Sequence, residues 1–273
     1  MQNKDKNLLA EIYDNRKLIW KLSKNDLKTK FAGSYLGRIW AFVQPIVTVL
    51  VYWFVFESGM KATAETLEGL EMPFVLWLVA GIVPWFYFSD CLSAGTSVLM
   101  EYNYLVKKVV FNIRILPVVK VISASFIHLF FVIFAVVLFL CYGYFPDLYT
   151  LQVIYYSICV TVLVLGICYI TSSVVVFFRD MSQIVNIFLQ IGIWLTPIMW
   201  NMDTMNIPGP LLTLLKFNPL YYIVSGYRDA FINKIWFFDK PGMTLYYWVF
   251  TIVIFMIGNL IFKRLRIHFA DVL

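Results

Sequence analysis

The sequence predicts an all-α integral membrane protein with six transmembrane helices, and three observations carry that prediction. Six apolar stretches long enough to cross a bilayer run through the 273 residues, with no soluble domain of any size between them. A helix needs roughly 20 apolar residues to traverse about 30 Å of hydrocarbon. The composition agrees: 61% of residues are hydrophobic and 14% charged, with a mean hydropathy of +0.78, whereas a soluble domain carries about 25% charged residues. Charge also alternates along the chain. Lys4, Lys6, Arg16, Lys17, Lys21, Lys24, Lys28, Lys30 and Arg38 precede the first stretch, and Lys61 then stands among Glu57, Glu65, Glu68 and Glu71. Basic residues return at Lys107, Lys108, Arg114 and Lys120, and again at Lys263, Arg264 and Arg266. Basic, acidic, basic is what the positive-inside rule produces, and it places both termini in the cytoplasm. Because the positive charge tracks loop sidedness, no nucleic-acid partner is expected.

Residues 1–38 form a polar, basic segment, so the first span is expected to direct insertion itself. Lys17, Lys21, Lys24 and Lys28 are spaced 4, 3 and 4 apart and share one helical face, while Ile12, Ile19, Trp20 and Leu27 occupy the rest. Such a helix lies in the membrane plane with lysines near anionic headgroups. Asp26 and Lys30 intrude on the apolar side, and a solvated charged helix is the alternative. The spans are expected at 39–56, 74–97, 115–143, 151–178, 184–200 and 245–262, within a transmembrane domain of 33–266. The connection 99–114 repeats Leu105, Val109 and Ile113 at helical spacing among basic residues, which suits either a partner contact or a plain connector. Pro117 then opens the third span, where a missing N–H costs little. Between 201 and 243 the chain carries Pro208, Gly209, Pro210, Pro219, Gly226, Pro241 and Gly242 around two short apolar runs. Neither run can cross, and the breaks forbid one continuous helix. A re-entrant helical hairpin on the outer side is the simplest reading, because broken backbone survives at membrane depth only beside protein or water. Residues 263–273 form a cytoplasmic tail.

Missing motifs narrow the function. No GxxxxGK[ST] phosphate loop, HExxH or GxSxG occurs, and no acids stand at metal-ligand spacing, so no catalytic residue, metal site or cofactor is expected in this chain. Cys91, Cys141, Cys159 and Cys168 lie inside apolar segments with no CxxC pair and read as small buried thiols. Charged groups at membrane depth are costly and face an interior or a pore. Asp90 is therefore a candidate for the transport path, its alternative being a structural partner at a subunit contact. His128 reads as a neutral imidazole bonded to a neighbouring helix. Aromatic faces stack on the C–H surfaces of sugar rings and tolerate sliding. Tyr52, Trp53, Trp85, Tyr87, Phe88 and Trp194 are thus candidate path residues, against a belt or lipid-facing role.

Four local patterns together resemble one family. They are Ser34-Tyr35-Leu36-Gly37-Arg38-Ile39-Trp40 with Gln44-Pro45, Leu105-Val106-Lys107-Lys108-Val109 with Leu116-Pro117, Phe178-Arg179-Asp180 with Thr196-Pro197, and Asn218-Pro219-Leu220-Tyr221-Tyr222 with Tyr227-Arg228-Asp229. In order and spacing they are similar to ABC-2 type permeases that export polysaccharides and polyol phosphates, and in length and sequence they look most like the teichoic acid export permeases. O-antigen and capsule permeases share the patterns. Asn112 departs from them, standing where a proline is expected. The resemblance implies a homodimer in the bacterial cytoplasmic membrane, paired with two copies of a separate ABC subunit that binds ATP and magnesium. It implies a lipid-linked glycopolymer as substrate, wall teichoic acid first among the options. Lys107, Lys108 and Arg114 would couple to the ATPase, and Arg179, Asp180, Arg228 and Asp229 would serve as gates. The alternatives are an exporter of O-antigen, capsular polysaccharide, drug or lipid, or a membrane-embedded polyprenyl-phosphate transferase. The transferase needs clustered acids near one face, whereas Asp26, Glu101 and Asp180 are scattered in sequence.

Overall fold

The computed structural model describes residues 8–30, 33–61, 64–65, 71–106, 111–202 and 208–273, and these are nearly all helical. The chain opens with α1 (Leu8–Asp14) and α2 (Arg16–Thr29). In α2 the buried positions are Ile19, Ser23 and Asp26, one helical face, while Lys17, Lys21, Lys24 and Lys28 are exposed. Helix α3 (Trp40–Trp53) continues through a π turn, Phe54–Gly59. A short antiparallel ladder follows, β1 (Ala64–Glu65) against β2 (Glu71–Met72), with Ala64 opposite Met72. This ladder corrects the all-α expectation, since two-residue strands are too short to show any alternation in sequence.

Helix α4 (Phe74–Glu101) is the centre of the bundle, with 20 of its 28 residues buried. Its hydrophobicity is all-round, which is what a helix enclosed by neighbours requires. Around it stand α6 (Leu116–Cys141), α7 (Gln152–Val175), α8 (Met181–Leu195) and α10 (Pro219–Arg228). The short α5 (Asn103–Val106) and α9 (Gly209–Lys216) fill connections, and α11 (Pro241–Leu265) precedes the terminal turn α12 (Phe269–Val272). Helices α6, α9, α10 and α11 all begin with proline in the first turn, where its missing N–H leaves no bond unmade. Helices α7 and α11 approach through glycines: a Cβ built on Gly258 would lie 2.4 Å from the Gly166 carbonyl oxygen. Close backbone approach through small residues is how helices associate where solvent supplies no hydrophobic drive.

Among the described residues, five helical segments are long and apolar enough to cross a membrane: Trp40–Gly59, Phe74–Glu101, Ile113–Cys141, Leu148–Val175 and Pro241–His268. The stretch expected at 184–200 is instead the 15-residue α8, which reaches only about 22 Å. It stops at Thr196, which is extended (φ −87°, ψ 129°), because the following Pro197 excludes the helical conformation before it.

Candidate functional site

Helices α3, α4, α6 and α8 enclose a cavity of about 410 Å³ whose wall mixes aromatic and polar groups. Trp40, Gln44 and Thr48 come from α3, Phe86, Tyr87 and Asp90 from α4, His128 and Phe131 from α6, and Leu189 from α8. Of the aromatic candidates only Tyr87 lines it. The Tyr87 hydroxyl bonds Ser125 Oγ at 3.1 Å and Thr161 Oγ1 at 3.0 Å, and its ring stacks on His128 at 4.3 Å. His128 Nε2 in turn bonds Ser157 Oγ and the Tyr227 hydroxyl, both at 3.0 Å. Trp85 and Phe88 are buried in the core of the subunit, Trp85 against Gly192 of α8. Tyr52 and Trp53 are half-buried against that core, and Trp194 is exposed at the end of α8.

Asp90 forms an ion pair with Lys30, and both line this cavity and an adjoining one of about 330 Å³. Five charged side chains line the second cavity: Asp26, Lys30, Asp90, Glu101 and Lys120. Lys120 Nζ sits 2.7 Å from Asp26 Oδ1 and 2.6 Å from Glu101 Oε2, and the Tyr102 hydroxyl donates to Asp26 at 3.0 Å. Ser23 Oγ donates to the Val119 carbonyl at 3.0 Å. These contacts fasten α2 across the ends of α4 and α6, so Asp26 and Lys30 are the anchors of the helix rather than flaws in its apolar face.

Arg114 lies buried beside the segment expected to couple. It pairs with Glu11 of α1 at 3.0 Å and donates to Asn259 Oδ1 of α11 at 2.6 Å, while its carbonyl accepts from the Tyr169 hydroxyl at 2.8 Å. These contacts tie Arg114 to α1, α7 and α11. Lys107 and Lys108 lie outside the described residues. Asn112 caps the 3-10 turn Ile113–Ile115 by accepting from the Arg114 N–H at 3.2 Å, which does the turn-starting work that a proline would do.

Arg179 and Asp180 are exposed in the turn between α7 and α8 and form no ion pair among the described residues. Arg228 and Asp229 are buried beside the start of α4. Arg228 donates to the carbonyls of Pro197 (2.7 Å) and Ile198 (2.9 Å) and stacks on Trp77. Asp229 pairs with Lys240 at 2.5 Å.

One feature of α8 was passed over in sequence. Gln183, Asn186 and Gln190 recur at spacings of three and four, and all three are exposed, whereas Val185 and Gly192 are its buried residues. Uncovered amides on an apolar helix are costly against lipid.

With this geometry in view, comparison with known proteins decides the family. The profile described as ABC-2 type transporter matches residues 17–232. The chain belongs to the ABC-2 type transporter family. It is 27% identical over 267 residues to the O-antigen export system permease protein RfbA of Myxococcus xanthus, covering 97% of this chain and 98% of that one. It is 26% identical to the protein of the same name from Klebsiella pneumoniae, covering all of both chains. It is 23% identical to the polysialic acid transport protein KpsM of Escherichia coli, over 87% of this chain and 89% of that one. No teichoic acid protein stands among these relatives, so the family resemblance holds and its finer branch does not follow from them. Within this ABC-2 chain, sequence reasoning missed Lys120 because it was counted as a connection charge, although it lies inside the apolar run. It missed Glu11 and Asn259 because nothing local marks the partners of Arg114.

Proposed function

We propose that this chain is the membrane subunit of an ATP-driven exporter of a lipid-linked cell-surface glycopolymer in the bacterial cytoplasmic membrane. The observation that carries this reading is a cavity among the candidate spans whose wall mixes aromatic, hydroxyl and charged groups. An aromatic and hydroxyl-lined cavity between α3, α4 and α6 adjoins α8, whose Gln183, Asn186 and Gln190 are left uncovered by the rest of the subunit. A second copy meeting along α8 would turn those amides toward a shared lumen, where water or polymer hydroxyls satisfy them. In that arrangement α8 is a sixth, short span, and α9 with α10 forms a re-entrant hairpin closing the outer end. Arg228 supports it, since it fixes the Pro197–Ile198 break at which α8 ends.

Energy would come from two copies of an ABC ATP-binding subunit, because this sequence has no phosphate loop. Their closure would push on 99–114 from the cytoplasm, and Arg114 and Lys120 would pass the displacement to α1, α2, α6 and α11 through the pairs described above. Neutral sugars need only aromatic faces and hydroxyl partners, which the cavity offers, and the relatives named for O-antigen and polysialic acid favour a polysaccharide. A phosphate-bearing polymer of the wall teichoic acid kind is the second reading, favoured by the exposed lysine face of α2 and by Arg228. Depleting the chain in its own bacterium tests both. A lipid-linked polymer should accumulate on the inner leaflet, and its repeat unit names the substrate. Normal surface polymer after depletion would refute the proposal.

A further inference from the structure

At the end of the bundle opposite α2, a small cavity of about 130 Å³ opens between α4, α10 and the turn after α8. Trp77, Ser225, Arg228, Asp229, Asn233 and Lys240 stand in its wall. Arg228 is 8% exposed, and its guanidinium is stacked 3.2 Å over the Trp77 ring. It donates two N–H groups to the Pro197 and Ile198 carbonyls, and its Nε–H is buried with no partner. No carboxylate pairs with it among the described residues: the adjacent Asp229 is held by Lys240 at 2.5 Å and by Asn233 at 3.1 Å. A buried cation without a counter-charge is expensive. The carbonyls and the indole face offset part of that cost but leave the net charge in place, and among the described residues the cavity wall holds two cations, Arg228 and Lys240, against one anion, Asp229.

We propose that this cavity binds a small oxyanion, a phosphate or carboxylate group, against the guanidinium N–H groups of Arg228 that the two carbonyls leave unused, with Lys240 at the rim. A guanidinium presents parallel N–H donors that match such a group, and the hydrogen bonds are charge-assisted. The natural ligand as an acidic group of the exported polymer rests on the exporter reading; the site itself does not.

The test is the thermal unfolding midpoint of the purified chain in detergent, in sodium chloride against sodium phosphate at matched ionic strength and pH. The wild type should show a saturable rise with phosphate, because a ligand that binds only the folded state stabilises it in proportion to occupancy. R228Q should lose the response. Since R228Q risks misfolding, S225D supplies the second arm by placing a carboxylate in the same cavity. It should melt at or above the wild type in chloride, and its half-saturating phosphate concentration should rise about tenfold or more. Sources separate by probe: dimethyl phosphate reproducing the rise points to a polymer diester, whereas phosphatidylglycerol nanodiscs raising the midpoint and abolishing the phosphate response point to a lipid headgroup. A flat response in the wild type, or an S225D variant that melts lower and responds normally, overturns the proposal. The melt needs no ATPase and no transport, so a positive result stands even if the exporter reading fails.

Discussion

Replacing Asp26 by asparagine tests whether one buried ion pair holds α2 on the bundle. Asp26 is 8% exposed and so is Lys120, while the third member, Glu101, is 47% exposed. Removing one partner of a buried pair costs about 3–5 kcal/mol. Here Lys120 keeps Glu101, and the asparagine carbonyl still accepts from Tyr102, so the loss falls to about 2–3 kcal/mol. Glu101→Gln instead removes a largely solvated carboxylate and should cost about 0–1 kcal/mol. With tenfold per about 1.4 kcal/mol, D26N should raise the detached population of α2 about 30- to 150-fold, and E101Q at most about fivefold. Hydrogen–deuterium exchange of the α2 amides in detergent micelles reads these populations directly. Equal protection in the two variants, or unchanged protection in D26N, would refute the reasoning.

Three further outcomes follow from the same geometry. Gly258→Ala places a methyl 2.4 Å from the Gly166 carbonyl oxygen, a backbone atom that cannot turn aside, so α7 and α11 must part at a cost of about 1–3 kcal/mol; Gly242→Ala meets nothing within 4 Å and should be neutral or slightly stabilising in the same thermal melt. The charge reversals E11R and R114E should each lower the melting midpoint, and the double reversal should recover part of the loss, with no recovery arguing against the pair; the recovery stays partial because Asn259 loses its donor. Asp147 gives a pH dependence: burial pushes its carboxyl up, but Lys234 at 3.0 Å and the Thr150 N–H outweigh that and hold it below its ordinary value. A depressed carboxyl stabilises above its unfolded pKa, so the advantage of wild type over D147N should be full at neutral pH and fade below about pH 4.

The spans were legible because apolar runs of bilayer length need no partner to be recognised, and five of them reappear within a few residues of the expected bounds. The end of α8 was misread because hydropathy continues through Ile198, Met199 and Trp200, whereas Thr196–Pro197 stops the helix on steric grounds that hydropathy does not register. Asp26 and Lys30 were visible as irregularities in α2, but the reason for them lies in Lys120 and Asp90, 94 and 60 residues away. Arg228 and Asp229 were legible as unusual charges. Their distant partners were not, since adjacent helical residues point in different directions, Arg228 reaching Pro197 and Ile198 and Asp229 reaching Lys240. The aromatic candidates divide for a similar reason: composition cannot tell Tyr87, which lines the cavity, from Trp85 and Phe88, which fill the core.

Purification of this chain in mild detergent together with an ABC ATP-binding subunit encoded beside it is the most direct test of the central claim. The account predicts a stable complex of two permease and two ATPase chains that hydrolyses ATP, with faster turnover when a lipid-linked glycopolymer is present. A chain that purifies without any ATPase, or a complex whose turnover ignores such polymers, would contradict it.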